Sequence, residues 1–254
     1  MADTKVSALT AASAAADTDE IPVNQGGTSK KVTRAQLFTA PTFGAGSASA
    51  GSWPKMTAGT VMTTAEDGAI ELDGDCFYGC TDAGNRGIIP VEHWIRCDST
   101  RTLTSQTAAQ PIFNSPTNGQ ITLETGTYEF EALICVASMS GTSGNATFSI
   151  TGTATFGSVL WFGTGRDAAA DAVTGTLAGS HSRDATLVAA PLVTAGTATE
   201  MFAYLRGTLE VTAAGTLIPN IALQTAAAAV VQIGSFFRIK RIGSTSMVSV
   251  GQWD

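Results

Sequence analysis

"GTYEFEALICVASM", residues 126–139, alternates along most of its length. Tyr128, Phe130, Ala132, Ile134 and Val136 fall on one side of an extended chain, and Glu129, Glu131, Leu133 and Cys135 on the other. Successive side chains of a strand point to opposite faces, so this stretch predicts a β-strand with one face in a core and one toward solvent. "GSFFRIKRIG", residues 234–243, repeats the pattern, with Phe237 and Ile239 alternating with Arg238 and Lys240.

The same texture fills the chain around these two stretches. "QPIFN", "GQITLE", "NATFSITGTA", "GSVLWFGTG", "ATLVA", "TEMFAYLRGTLEVTA", "GTLIPNIALQT" and the longer "VVQIGSFFRIKRIG" all read as strands. Gly-Thr, Asn-Gly and Ala-Gly pairs interrupt them about every eight to twelve residues, and no helical pattern intervenes. Residues 103–254 therefore predict a mainly β module, a sandwich or jelly roll.

Upstream the organisation changes. After Met1 the first twenty residues are mostly Ala, Ser, Thr and Asp, with only Val6 and Leu9 as sizeable apolar groups. They bury too little surface to offset ordering entropy and are expected to order against a partner. "IPV", the turn cluster "NQGG" and "TSKKV" predict a small hairpin in which Gly26 and Gly27 take positive φ. Thr33 and Gln36 have capping-box spacing and open a short helix through "RAQLF", which Pro41 ends. The predicted layout is an extended N-terminal arm over 1–40, a flexible Gly/Ser/Ala spacer over 41–52, a connector of short strands over 53–102, and the module over 103–254. In the connector, "GAIELDG", "DCFYGC" and "GIIPVEHWIRC" are the strand candidates.

Composition narrows the function. Across 254 residues only 14% are charged, 27 are Gly, and the net charge is −7. A negative chain without a basic stripe argues against nucleic-acid binding, which draws on clustered Lys and Arg. The N-terminus has no apolar run of signal-peptide kind, and "TAAAAVVQIG" is too short to span a bilayer, so no membrane partner is expected and the product is expected to be soluble and made in the cytosol. Cys76, Cys80, Cys97 and Cys135 are too few for a disulfide framework in a chain of this length.

The chemistry-bearing residues lack the spacing that sites require. His93 and His181 stand apart without a zinc-site pattern. Cys76 and Cys80 are spaced C-x-x-x-C, either a metal clip, a disulfide or a free pair. Asp73-Gly74-Asp75 resembles the start of a calcium loop but lacks its later ligands, leaving a turn with solvated acids. Asn85–Gly87 and Arg166–Asp171 read as turns or as recognition loops. Gly163-Thr164-Gly165-Arg166 lacks the phosphate-loop spacing. Glu124, Glu129, Glu131 and Glu200 are the carboxylates from which a glycan-cleaving pair would be drawn. Glu129 and Glu131 share one strand face about 7 Å apart, the usual arrangement of a solvent-facing pair. No enzyme, metal or cofactor is predicted.

"GTYEFEAL", "FAYLRGTLEVTAAGTLIPNIAL" and "GSFFRIKRIG" resemble the trimeric jelly-roll modules of the C1q and tumour-necrosis-factor type, in which a glycine-led aromatic strand opens the domain and a Gly-x-Phe-Phe strand closes it. The final "VGQWD" is similar to the Gly-x-Trp tails of phage versions. "AEDGAIELDGDCFYGCTDAGNRGIIP" resembles a linker of bacteriophage tail-fibre and other virion fibre proteins, and "EIPVNQGGTSKKVTRAQL" resembles their attachment segment. The resemblance implies a homotrimeric structural protein of a tailed-phage virion, a short fibre or spike-like appendage, with the arm docked on another phage structural protein of the portal, neck, tail, baseplate or capsid. A long shaft is missing.

On this reading Val6, Leu9, Ile21, Val23, Leu37 and Phe38 are the arm's anchors at the virion interface. Tyr128, Phe130, Phe202, Tyr204, Phe236 and Phe237 fill the sandwich and the three-fold contact. The alternatives are an adhesin that binds host-surface glycan and a polysaccharide depolymerase.

Overall fold

A computed structural model describes residues 20–25, 27–33, 56, 58–64, 66–74, 76–81, 86–142, 144–168, 177–183, 190–191 and 199–246. The chain divides into two compact units, Met1–Met56 and Thr57–Asp254. In the first, β1 (Glu20–Gln25) and β2 (Thr28–Thr33) form an antiparallel hairpin with Gln25 opposite Thr28. Gly27, in its two-residue loop, has φ +79°. That is the positive φ a tight hairpin turn asks of its central residues. The helix expected after it, and the anchors Val6, Leu9, Leu37 and Phe38, lie outside the described residues.

The second unit opens with β3 (Ile70–Leu72), β4 (Phe77–Cys80) and β5 (Arg86–Ile89), a three-stranded antiparallel sheet in that order. Then follow β6 (Glu92–Arg96), β7 (Arg101–Thr102), β8 (Gln110–Pro111), β9 (Ile121–Leu123), β10 (Gly126–Ala137), β11 (Ala146–Thr151) and β12 (Thr155–Ala168). The remainder are β13 (Leu177–Arg183), β14 (Ala190–Pro191), β15 (Glu200–Ala213), β16 (Gly215–Leu223), β17 (Val230–Val231) and β18 (Phe236–Gly243). The protein is mainly β, as the alternation predicts.

A large antiparallel sheet runs β13-β12-β15-β10, and β10 then pairs with both β17 and β18; β7 adds to β17 and β6 to β18. A smaller sheet runs β14-β11-β16, with β8 and β9 both on the far side of β16. Their inner faces share one core. Phe130, Ile134, Leu205, Val211 and Phe237 come from the large sheet, and Phe148, Leu217 and Ile221 from the smaller one. Phe130 stacks on Phe237 with ring centres 5.6 Å apart, and Phe148 meets Trp161 edge-on at 5.8 Å across the two sheets. Such pairs add about 0.5–1.5 kcal/mol beyond the area they bury.

Two stretches that read as single strands are each divided. "GIIPVEHWIRC" splits at Pro90, with β5 in the three-stranded sheet and β6 in the large one. Pro90 has no N–H to give a ladder, so pairing stops there. "VVQIGSFFRIKRIG" splits into β17 and β18 because Gly234 turns at φ +88°. Val136 faces Val231 and Leu133 faces Phe236, so four residues bulge opposite Ile134 and Cys135. Ser235 closes the bulge, donating to the Cys135 carbonyl at 3.3 Å and accepting from the Cys135 N–H at 3.0 Å.

Pairing also crosses residue 102. β6 and β7 belong to the large sheet, and Ile95 and Cys97 lie in its core. "QPIFN" contributes a ladder only at Gln110–Pro111, and "ATLVA" lies outside the described residues.

Candidate functional site

The outer face of the large sheet carries the largest concentration of exposed apolar side chains among the described residues, and strand register fixes their order. One row runs Leu160, Thr208, Glu129, Lys240, Glu92 across β12, β15, β10, β18 and β6. The next runs Phe162, Arg206, Glu131, Arg238, Trp94, and the third runs Thr164, Tyr204, Leu133, Phe236, Arg96. Beyond them Phe202 faces Cys135. Neighbouring positions within a row are about 5 Å apart and the rows about 7 Å apart, close enough for direct side-chain contact.

The middle of this face is a lattice of three cations and three carboxylates. Arg206 reaches diagonally to Glu129 at 2.8 Å, and Lys240 takes the other oxygen of Glu129 at 3.0 Å. Glu131 is left to Arg238, which donates to it through Nε at 3.1 Å and through a second, shorter bond, and which also meets Glu92 at 3.4 Å. Burial works to raise the Glu129 carboxyl, but hydrogen bonds and charges from Lys240 and Arg206 outweigh it and hold it below its ordinary value. The Arg238 guanidinium is raised, chiefly by its bond to Glu131. Exposed ion pairs contribute roughly 0–1 kcal/mol each, so the lattice's main effect is to make a charged face neutral and fixed in shape.

Around this lattice runs an apolar band. Leu160, Phe162, Phe202 and Tyr204 are 55, 58, 46 and 41% exposed, and Leu133 joins them to Phe236. Trp94, 52% exposed, closes the band at the β6 edge. Its ring lies 5.1 Å from that of Phe236 and 5.1 Å from the Arg238 guanidinium carbon, and its Nε1–H donates to Glu92 at 2.6 Å. Exposed apolar side chains gathered on one face in this number are the usual mark of a contact site.

Of the six residues assigned to the sandwich and three-fold contact, Tyr128, Phe130 and Phe237 are buried in the core, whereas Phe202 and Tyr204 are exposed and Phe236 half-buried on the outer face. Sequence reasoning did not single out Trp94, Leu160 or Phe162. Parity along each strand carries the signal, since Phe162 shares its face with Leu160 and Thr164 while Trp161 points inward. Ile21 and Val23 lie on β1 opposite Val32 and Lys30.

The other candidates fall into structural roles. Glu129 and Glu131 are held within the lattice, and Glu129 is shifted away from the raised pKa a general acid needs. Asp73 is not a merely solvated turn acid: it accepts from the Cys76 N–H at 2.8 Å and the Tyr78 hydroxyl at 2.8 Å, shaping the entry into β4. None of the four cysteines is in a disulfide among the described residues. Cys76 and Cys80, four residues apart along extended chain, are separated by roughly 13 Å, beyond disulfide reach. Among the described residues no group of three or more His, Cys, Asp or Glu is placed to hold a metal. His93 is exposed on β6, beside a groove of about 280 Å3 whose walls include Leu72, Ile88, Ile89, Val91 and Arg241. Two of its polar side chains, Tyr128 and Arg241, are engaged within the chain. Tyr128 donates to the Glu124 carbonyl at 2.9 Å, and Arg241 donates to the carbonyls of Gly243, at 3.3 Å, and Thr125.

No family model and no curated protein matches the chain. Among solved structures, the infectious bursal disease virus VP2 subviral particle aligns at 13% identity over 73% of this chain, with a TM-score of 0.18. The chain spans about half the length of that one, 50%. A TM-score so low carries no argument about fold or function.

Proposed function

We propose that this chain is a structural component of a tailed-phage particle: a homotrimeric short fibre or spike-like appendage, anchored to a virion ring by residues 1–40 and displaying a jelly-roll module. The observation that carries the reading is the outer face of the large sheet, charge-neutral at its centre and bordered by exposed Leu160, Phe162, Phe202 and Tyr204. Such a face favours contact with protein over contact with water. In this assignment the β12 and β15 part of the band is buried between subunits, and closed point symmetry uses it equally in each copy.

The resemblance adds the rest. The glycine-led strand β10 and the Gly-x-Phe-Phe strand β18 are hydrogen-bonded neighbours, so the two quoted motifs form one structural unit. The hairpin β1–β2 is built from the attachment-like segment. In this assignment Ile21 and Val23 are buried against the virion protein that receives the arm.

The test uses the full chain and a chain lacking residues 1–40. Light scattering is expected to give three copies for both, and only the full chain is expected to co-sediment with particles. A monomeric full chain, or equal particle binding by both, overturns the proposal.

A further inference from the structure

Strand β6 is bonded to β18 alone among the described residues, so one edge of the large sheet ends there with its backbone donors and acceptors open. Open edges are templates for another strand, and proteins commonly blunt them with charge, proline or bulges. Here the strand is regular, and its sequence Glu92-His93-Trp94-Ile95-Arg96 places opposite charges symmetrically about a tryptophan. Glu92, Trp94 and Arg96 all face outward, because they register with Lys240, Arg238 and Phe236.

We propose that β6 pairs antiparallel with β6 of a second copy about a two-fold axis at Trp94, joining two large sheets edge to edge. This register sets Glu92 of each copy opposite Arg96 of the other, and Trp94 opposite Trp94. Opposite charges and aromatic pairs directly across an antiparallel ladder are the favourable combinations.

Competing registers are penalised. Centring on Glu92 or on Arg96 sets like charges face to face. Centring on Ile95 sets Glu92 against Asp98, and centring on His93 forfeits both ion pairs and brings Pro90, which has no N–H, into the ladder. Trp94 is also prepared for the contact. Its indole is held by Glu92 and flanked by Phe236 and Arg238, so little rotamer freedom is left to lose.

A five-residue ladder is a weak contact in dilute solution. Copies within one three-fold trimer are not related by two-folds, so the ladder joins copies of different trimers, where a first pairing raises the effective concentration for the next. The contact lies three strands from β15 and so is distinct from the band assigned above to the trimer.

Cysteine trapping tests the register. Directly opposite residues have Cα atoms about 4.5–5.5 Å apart, inside the disulfide range. The full-length Trp94→Cys chain is expected to form at least about tenfold more disulfide-linked dimer under mild oxidation than the native chain, whose own thiols are buried or half-buried. Glu92→Cys and Arg96→Cys chains are expected to cross-link when mixed and not when oxidised separately. Trp94→Cys no faster than the native chain, or Glu92→Cys linking to itself as readily as to Arg96→Cys, overturns the pairing. The trimer is read independently, from the native mass by light scattering. A monomeric mass with the cross-links intact removes the trimer alone, and a trimer without them removes this contact alone.

Discussion

Gly207→Ala probes the join between the core and the outer band. Gly207 lies on the inward side of β15, between Phe130 on β10 and Trp161 on β12. A methyl group there would sit 2.4 Å from the Leu160 carbonyl oxygen, 2.5 Å from Trp161 Cβ and 2.8 Å from Trp161 Cα. These are backbone and Cβ atoms, so no rotamer of Trp161 relieves the clash and β12 has to move away from β15 by roughly 1 Å, in an interior packed to crystal density. Overpacking of this kind costs about 1–3 kcal/mol, and a backbone clash belongs in the upper half of that range. For a unit of this size about 2–3 kcal/mol lowers Tm by roughly 4–12 °C. The assay is thermal and urea unfolding followed by near-ultraviolet circular dichroism. Gly87→Ala is the control, since no atom lies within 4 Å of its added methyl. A Gly207→Ala chain melting within about 1 °C of the control refutes the packing argument.

Three further outcomes are expected. Phe162→Asp with Phe202→Asp leaves the fold intact, because both rings are about half exposed, but removes on the order of 100 Å2 of buried apolar area per ring, about 2–3 kcal/mol each, so light scattering on the proposed trimer shows dissociation. Glu71 is held below its ordinary carboxyl value, first by the Met62 N–H at 2.6 Å and then, against opposing burial, by Arg86 at 2.7 Å. A lowered folded-state value gives stability that is present above pH about 4.5 and lost as pH falls through the folded value, so proteolysis of the three-stranded sheet accelerates on acidification, and Glu71→Gln flattens that response. Burial, with help from Glu200, pushes the Cys135 thiol up to about 11. Its alkylation at pH 8, followed by mass spectrometry, is expected to run roughly a hundredfold slower than that of an unperturbed thiol.

How much of this was legible in the sequence depends on what period-two alternation encodes. It assigns faces, and it placed Phe130 and Ile134 inward and Glu129 and Glu131 outward along β10. It does not name partners. The division at Pro90 sends β5 and β6 to different sheets, although nothing in "GIIPVEHWIRC" itself says which strands await them. The bulge at Gly234 likewise serves a neighbour, Cys135, that lies about a hundred residues away.

The outer band was half legible. Phe202 and Tyr204 drew notice as aromatics, and their parity with Arg206 and Thr208 marks them as outward-facing while Met201, Ala203 and Leu205 fill the core. Size alone misleads here, because a glycine, Gly207, stands on the inner side of β15 where Trp161 and Phe130 need room. The charge lattice was legible only as separate Glu and Arg residues, since Arg206 reaches Glu129 along a diagonal that depends on strand register.

β18 completes the large sheet, pairing with β10 and with β6, and Glu92 lies opposite Lys240 about 150 positions later in the chain. At roughly 5–20 residues per second, β6 leaves the ribosome on the order of ten or more seconds before its partner exists. Until then both edges of β6 are open, and in a cell making many copies each nascent chain offers its neighbours the same unpaired strand. Contacts of such sequence separation also form slowly once synthesis ends. The balanced charges of Glu92 and Arg96 thus act on a timescale before the fold exists, limiting which strands a waiting edge accepts.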